Sequence, residues 1–117
     1  MRILCIGDVV GSIGCEFLRN NLPTLKKVKG VDFVFCNGEN SADGNGLTPV
    51  SAKHLFDSGV DAITLGNHSF RRKEVYDCLD SNPFIVRPAN FPENSTPGKG
   101  IINAVSYTHL RAHETDS

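Results

Sequence analysis

Three short stretches place chemically active side chains just past runs of apolar sequence. Gly7-Asp8 follows "RILCI" (2–6), Asn37-Gly38-Glu39-Asn40 closes "VDFVFCN" (31–37), and Gly66-Asn67-His68 follows "DAITL" (61–65). Taken singly, each is an ordinary turn or helix-cap composition. Taken together, Asp8, Glu39, Asn40, Asn67 and His68 form a set of two carboxylates, two amides and an imidazole, with no lysine or arginine beside them. Brought to one place they would repel unless a cation sat among them. Oxygen donors with imidazole suit Mn²⁺, Fe²⁺ or Zn²⁺, and the absence of thiolates from the set argues against a structural zinc.

Two-metal hydrolytic sites hold their ions roughly 3.5–4 Å apart, commonly across a shared carboxylate. Glu39, on the middle of the three stretches, is the natural bridge. Two divalent ions, two carboxylates and an activated hydroxide leave roughly one net positive charge. That balance suits an anionic phosphodiester, attacked in line by the hydroxide. His68 is either a further ligand or a proton carrier, since a neutral-pH imidazole serves both roles.

The flanking sequence supplies elements able to position this set. Apolar runs 2–6, 31–37, 61–65 and 84–86 read as strands, and "IINAV" (101–105) as the start of a fifth. The first, a short continuous run, has the pattern of a strand buried on both faces. A helix is expected from about Ile13 to Val28, with Phe17, Leu18, Leu22, Leu25 and Val28 inward, and with a kink or break at Pro23. A second helix has Thr48 as its cap, Pro49 at its first position and Gly59 just past its end. Residues 72–80 read as a short third helix. Strands alternating with helices imply a mostly parallel α/β sheet with right-handed crossovers. Ligands gather beyond the carboxyl ends of such strands, which here are the three stretches. Neighbouring ends lie about 4.8 Å apart, and the glycine at each is expected to let the backbone turn sharply near a bound ion. Ser41 to Thr48 is expected at the pocket rim.

The bulk composition excludes several classes. The chain has 117 residues, 39% of them hydrophobic, with 12 basic and 13 acidic residues and a net charge of −1. This balance gives no sign of a nucleic-acid or membrane surface built from bulk charge. No apolar stretch is long enough to span a bilayer and no signal peptide is legible, so a soluble, cytoplasmic protein is expected. Cys5, Cys15, Cys36 and Cys78 form no CxxC pair. Cys5 and Cys36 lie in apolar runs, where a reduced cysteine acts as a small hydrophobe.

The segments "GDVVGSIG", "NGENSADGNGLT", "DAITLGNHSF" and "VRPANFPENSTPGKG" occur in this order over about residues 1–103. Together they resemble the YmdB-like branch of the calcineurin-like metallophosphoesterases. The resemblance implies the N-terminal half of a four-layer α/β/β/α sandwich, a mostly parallel sheet with flanking helices. It also implies a hydrolase converting 2',3'-cyclic nucleotides to 3'-nucleotides on a di-iron or di-manganese centre. Carried over by position, Asp8, Glu39 and Asn40 match ligands of one metal. Glu39 and Asn67 match ligands of the other, and His68 matches the proton donor to the leaving alcohol. Arg87 and Asn90, in the loop after the fourth strand, are candidates to contact substrate phosphate or to order the metal loops. Val10 stands where the wider superfamily has a histidine in Gly-Asp-x-His, in keeping with this branch.

The family completes its site with three histidines from a second half. Here the other histidines are His54, on the second helix, and His109 and His113 near the end. Residues 1–105 are therefore expected to be the N-terminal part of the domain, inactive alone. Residues 106–117, "SYTHLRAHETDS", are expected to be an unrelated read-through tail, so the four-residue spacing of His109 and His113 is not taken as a zinc site. Two alternatives remain. One is a non-enzymatic truncated fragment. The other is a Rossmann-type nucleotide-binding module, but Gly7, Gly11 and Gly14 give G-x3-G-x2-G, and Asp8 would oppose a pyrophosphate.

Overall fold

A computed structural model describes residues 1–42, 46–66, 79 and 82–87. The expected helix over 72–80 (apart from Leu79, which is helical and buried), the strand over 101–105 and the tail 106–117 lie outside these residues. So do Asn67, His68, Cys78 and Asn90.

The described elements alternate: β1 (Ile3–Asp8), α1 (Gly11–Lys29), β2 (Phe33–Asn37), α2 (Pro49–Ser58), β3 (Ala62–Thr64) and β4 (Ile85–Val86). All strand pairs are parallel, in the order β1-β2-β3-β4. The chain thus steps across the sheet in one direction, and α1 and α2 pack against each other. Parallel strands need such helical crossovers. Of the four expected layers, these residues supply one sheet and the helix layer on one of its faces.

Alternation along the strands decides which side chains meet the helices. In register, Leu4 lies beside Val34, and Ile6, Cys36, Ile63 and Ile85 form one row. These residues join Cys15, Leu18, Leu22, Leu47 and Leu55 in a single core. Asp61 locks β2 to the start of β3: its Oδ2 accepts from the Val34 amide at 2.8 Å, and its own amide donates to the Val34 carbonyl at 2.8 Å.

The capping signals of α2 are all realised. Thr48 Oγ1 accepts from the Ser51 amide, Ser51 Oγ accepts from the Thr48 amide, and Gly59 closes the helix in a left-handed conformation. Lys26 Nζ donates to the Gly59 carbonyl at 2.9 Å and joins the two helices there.

Two expectations are corrected, and of the two outcomes expected at Pro23 the break does not occur, since α1 runs through it as one 19-residue helix. Its inner face is Cys15, Leu18 and Leu22, whereas Phe17 is 64% exposed, Val28 71% and Leu25 39%. The helix carries apolar residues on two sides, and packing against α2 and the sheet selects the side containing Cys15. β1 is not buried on both faces: Ile3 is 54% exposed and Cys5 is exposed. The reason is positional, since β1 is the outer strand of the described sheet and its second face lacks cover there. Cys36, by contrast, is fully buried, and burial, helped by neighbouring Cys15, pushes its thiol up to about 12. It therefore remains a neutral hydrophobe.

These assignments separate two apolar truncations on neighbouring helices. Leu55→Ala, at a fully buried position, is expected to lower the unfolding free energy by about 2–5 kcal/mol. Phe17→Ala is expected to stay within about 0.5 kcal/mol of wild type. Urea denaturation followed by circular dichroism measures both.

Candidate functional site

The site is built around the turn that leaves β2. Asn37 Oδ1 accepts from the Glu39 amide at 3.1 Å, an Asx turn that folds the chain back directly after the strand. The Gly38 amide donates to the Thr64 carbonyl at 2.9 Å and fastens the turn to β3. On the other side, the Gly11 amide at the start of α1 donates to the Asn40 carbonyl at 3.0 Å. Beneath the turn, Ser41 is buried, and its hydroxyl donates to the Gly38 carbonyl at 2.9 Å. The same hydroxyl lies 3.0 Å from Ser51 Oγ in the α2 capping box. Backbone hydrogen bonds and two serines thus hold residues 38–41 against β3, α1 and α2.

That turn joins the three strand ends. A register shift between Ile6 and Asp8 sets Asp8 opposite Asn37; such irregularities re-aim side chains at sheet margins. Asn40 Nδ2 then donates to both carboxylate oxygens of Asp8, at 3.0 Å each. This contact links the ends of β1 and β2. The Glu39 carboxylate crosses to β3: a Cβ built on Gly66 would stand 2.5 Å from Oε2 and 2.6 Å from Oε1. This second contact links the ends of β2 and β3.

The donor set fits a cation. Both Asp8 oxygens face the partial positive charge of one amide nitrogen. Turning that amide over would set its oxygen against the carboxylate, an arrangement that needs a positive ion between them. Carboxylate and amide oxygens are donors that suit hard divalent ions such as Mg²⁺, Ca²⁺ or Mn²⁺. Among the described residues, Asp8 and Glu39 are joined by no third His, Cys, Asp or Glu in a metal-holding group. Asn67 and His68 belong to the stretch immediately after Gly66, outside those residues.

The remaining candidates divide. Arg87 directly follows β4 and is buried, which suits ordering the strand-end loops better than an open rim position. Asn90 lies outside the described residues. The segment from Ser41 to Thr48 is not a rim where it is described, since Ser41, Ala42 and Leu47 are buried. Its side chains turn inward because the α2 cap needs them. His54 is exposed on α2, beside a groove of about 610 Å³ that also contains Glu16, Arg19, Lys53 and Asp57. Lys53 pairs with Asp57 at 3.0 Å, and the groove is balanced in charge and lies on the helix layer. The Gly11 and Gly14 amides are bonded to Asn40 and Val10, so this turn does not cradle a pyrophosphate.

Sequence reasoning missed Asn37 and the Ser41–Ser51 pair. Their signals were present: an asparagine two residues before Glu39, and a serine at the third helical position after Thr48. Gly7, Gly38 and Gly66 do not have positive φ, so a left-handed backbone is not what requires glycine at these positions.

Comparison with known proteins places this geometry. Residues 4–111 match the family model described as YmdB-like protein. The chain is 54% identical over 101 residues to the 2',3'-cyclic-nucleotide 2'-phosphodiesterase of Bacillus subtilis, covering 86% of this chain and 38% of that protein. A crystal structure of a hypothetical protein from Thermus thermophilus superposes with a TM-score of 0.79 at 45% identity, over 86% of this chain and 38% of the other. A novel phosphatase from Mycoplasma pneumoniae gives a TM-score of 0.76 at 32% identity, over 84% and 36%. The chain therefore spans well under half the length of these relatives.

The turn's dependence on α2 is measurable. Ser51→Ala removes one half of the capping box and the Ser41 contact, and is expected to lower unfolding free energy by about 1–2 kcal/mol. Lys53→Ala, which removes the exposed ion pair with Asp57, is expected to change it by less than about 0.5 kcal/mol. Urea titration of the two variants beside wild type checks the contrast.

Proposed function

The chain belongs to the YmdB-like protein family, and from that premise we propose that it forms the N-terminal half of the active centre of a metal-dependent phosphodiesterase. The substrate class is a 2',3'-cyclic nucleotide or a similar small phosphodiester, after the activity named for the Bacillus subtilis relative. One observation carries the reading. The Asp8–Asn40 and Glu39–Gly66 contacts gather three parallel strand ends into one acidic, oxygen-rich cradle.

In this reading Asp8, Glu39 and Asn40 would hold one divalent ion and Glu39 and Asn67 would hold a second, with Mn²⁺ or Fe²⁺ as the ions the resemblance implies. When bound, such ions lower the pKa of water at the site and neutralise charge that builds as the phosphodiester reacts. The chain's own residues do the rest. Asp8 and Glu39 are fixed in advance by the β2 turn, so little reorganisation is needed when the site fills. An oxygen from water bonds to phosphorus, the bond from phosphorus to the 2'-oxygen breaks, and His68 delivers a proton to that leaving oxygen. The 3'-nucleotide is the product. Arg87 and Asn90 are the candidates to contact the substrate phosphate or to order the metal loops.

By the same resemblance, three histidines outside the matched part of the family's domain would complete the ligand set.

The test uses the full-length protein, loaded with Mn²⁺, and a 2',3'-cyclic nucleotide. Turnover to the 3'-nucleotide is expected, with loss of activity on treatment with a chelator and recovery on restoring Mn²⁺. His68→Ala is expected to lower kcat by about 10²–10⁴-fold while metal content stays at the wild-type level. Turnover that survives complete metal removal would contradict the reading. Loss of metal together with activity in His68→Ala would make His68 a ligand instead.

A further inference from the structure

The three strand-end glycines stand in three different environments. A Cβ on Gly7 would meet nothing within 4 Å. A Cβ on Gly38 would press on the core, 2.8 Å from Ile63 Cγ2 and 3.2 Å from Leu55 Cδ1. A Cβ on Gly66 would meet only one side chain among its nearest atoms, with Glu39 Oε2 at 2.5 Å, Oε1 at 2.6 Å and Cδ at 2.7 Å. Both oxygens and the carboxyl carbon of Glu39 therefore occupy the space that any other residue at position 66 would fill.

We infer that Gly66 is a positioning residue for Glu39: by lacking a side chain, it lets the Glu39 carboxylate lie across the end of β3, between the two halves of the cradle. The inference rests on the reading of Glu39 as the shared metal ligand. Glycine at 66 is not demanded by backbone conformation, since its φ is not positive. Nor is it demanded by the core, because the nearest atoms belong to the far end of a flexible side chain. A methyl group there is relieved by moving the carboxylate, at little cost to the fold. The Glu39 backbone cannot follow that movement, because its amide is held by Asn37 Oδ1 and the adjoining Gly38 amide by Thr64. Displacement thus falls on the carboxylate itself. Carbon and oxygen need a separation well beyond 2.5 Å, so the carboxylate must shift measurably, and it is a group that two ions share. Disturbing what orients a metal ligand costs about 10–100-fold in metal affinity.

The test measures Mn²⁺ affinity and metal-free melting temperature of the full-length protein, for wild type, Gly66→Ala, Gly7→Ala, Glu39→Ala and the Gly66→Ala/Glu39→Ala double variant. Gly66→Ala is expected to bind Mn²⁺ at least about tenfold more weakly with an unchanged metal-free Tm, whereas Gly7→Ala binds as wild type does. In the Glu39→Ala background the crowding atoms are gone, so adding Gly66→Ala should change neither Tm nor residual Mn²⁺ binding. This non-additivity separates positioning from a general structural role. Wild-type affinity in Gly66→Ala would overturn the inference, as would a full additional loss in the double variant or its failure to fold. If wild type itself binds no Mn²⁺, the metal reading fails and takes the inference with it.

Discussion

The structure turns on one constraint: the ends of three parallel strands are tied together by the hydrogen bonds of the turn that leaves β2. Parallel pairing sets neighbouring strand ends about one strand spacing apart, and the β2 turn spends its hydrogen bonds on three neighbours. Its amides bond to Thr64 and to Asn37 Oδ1, the Asn40 carbonyl bonds to the first amide of α1, and Ser41 reaches the α2 cap. The backbone of residues 38–41 therefore cannot move away from β3, α1 or α2 without breaking these bonds.

The same bonds connect the core to the chemistry. Gly38 touches Ile63 and Leu55, both fully buried, so the floor of the turn is also the top of the core. Asp61 locks β2 to β3 from the other end of the strands. Stability and site geometry are thus set largely by the same residues.

What was legible in the sequence was what depends on local chemistry. Thr48, Pro49 and Gly59 mark α2 because caps are made within one turn of the helix. The parallel α/β class followed from alternating apolar runs and helical segments. The three strand ends were legible as neighbours because parallel pairing of successive strands sets their carboxyl ends side by side. The rest depended on tertiary packing. Ile13, Phe17 and Val28 are as apolar as Cys15, Leu18 and Leu22, and only the position of α2 and the sheet decides which face of α1 is buried. The exposed face of β1 follows from its place at the margin, which a run of apolar residues does not reveal. Most clearly, Gly7, Gly38 and Gly66 look alike as letters. Their distinct reasons (open space, a crowded core and a carboxylate) exist only once the neighbours are assembled.

The central claim is that these strand ends make one cation-binding cradle with Glu39 at its middle. Crystals of the full-length protein grown with Mn²⁺ test it directly, through anomalous scattering recorded on both sides of the manganese absorption edge. Two anomalous peaks about 3.5–4 Å apart, flanking the Glu39 carboxylate with Asp8 and Asn40 at one of them, are the predicted result. Manganese bound elsewhere, or no peak within coordination distance of Glu39 in Mn²⁺-saturated crystals, would contradict the account.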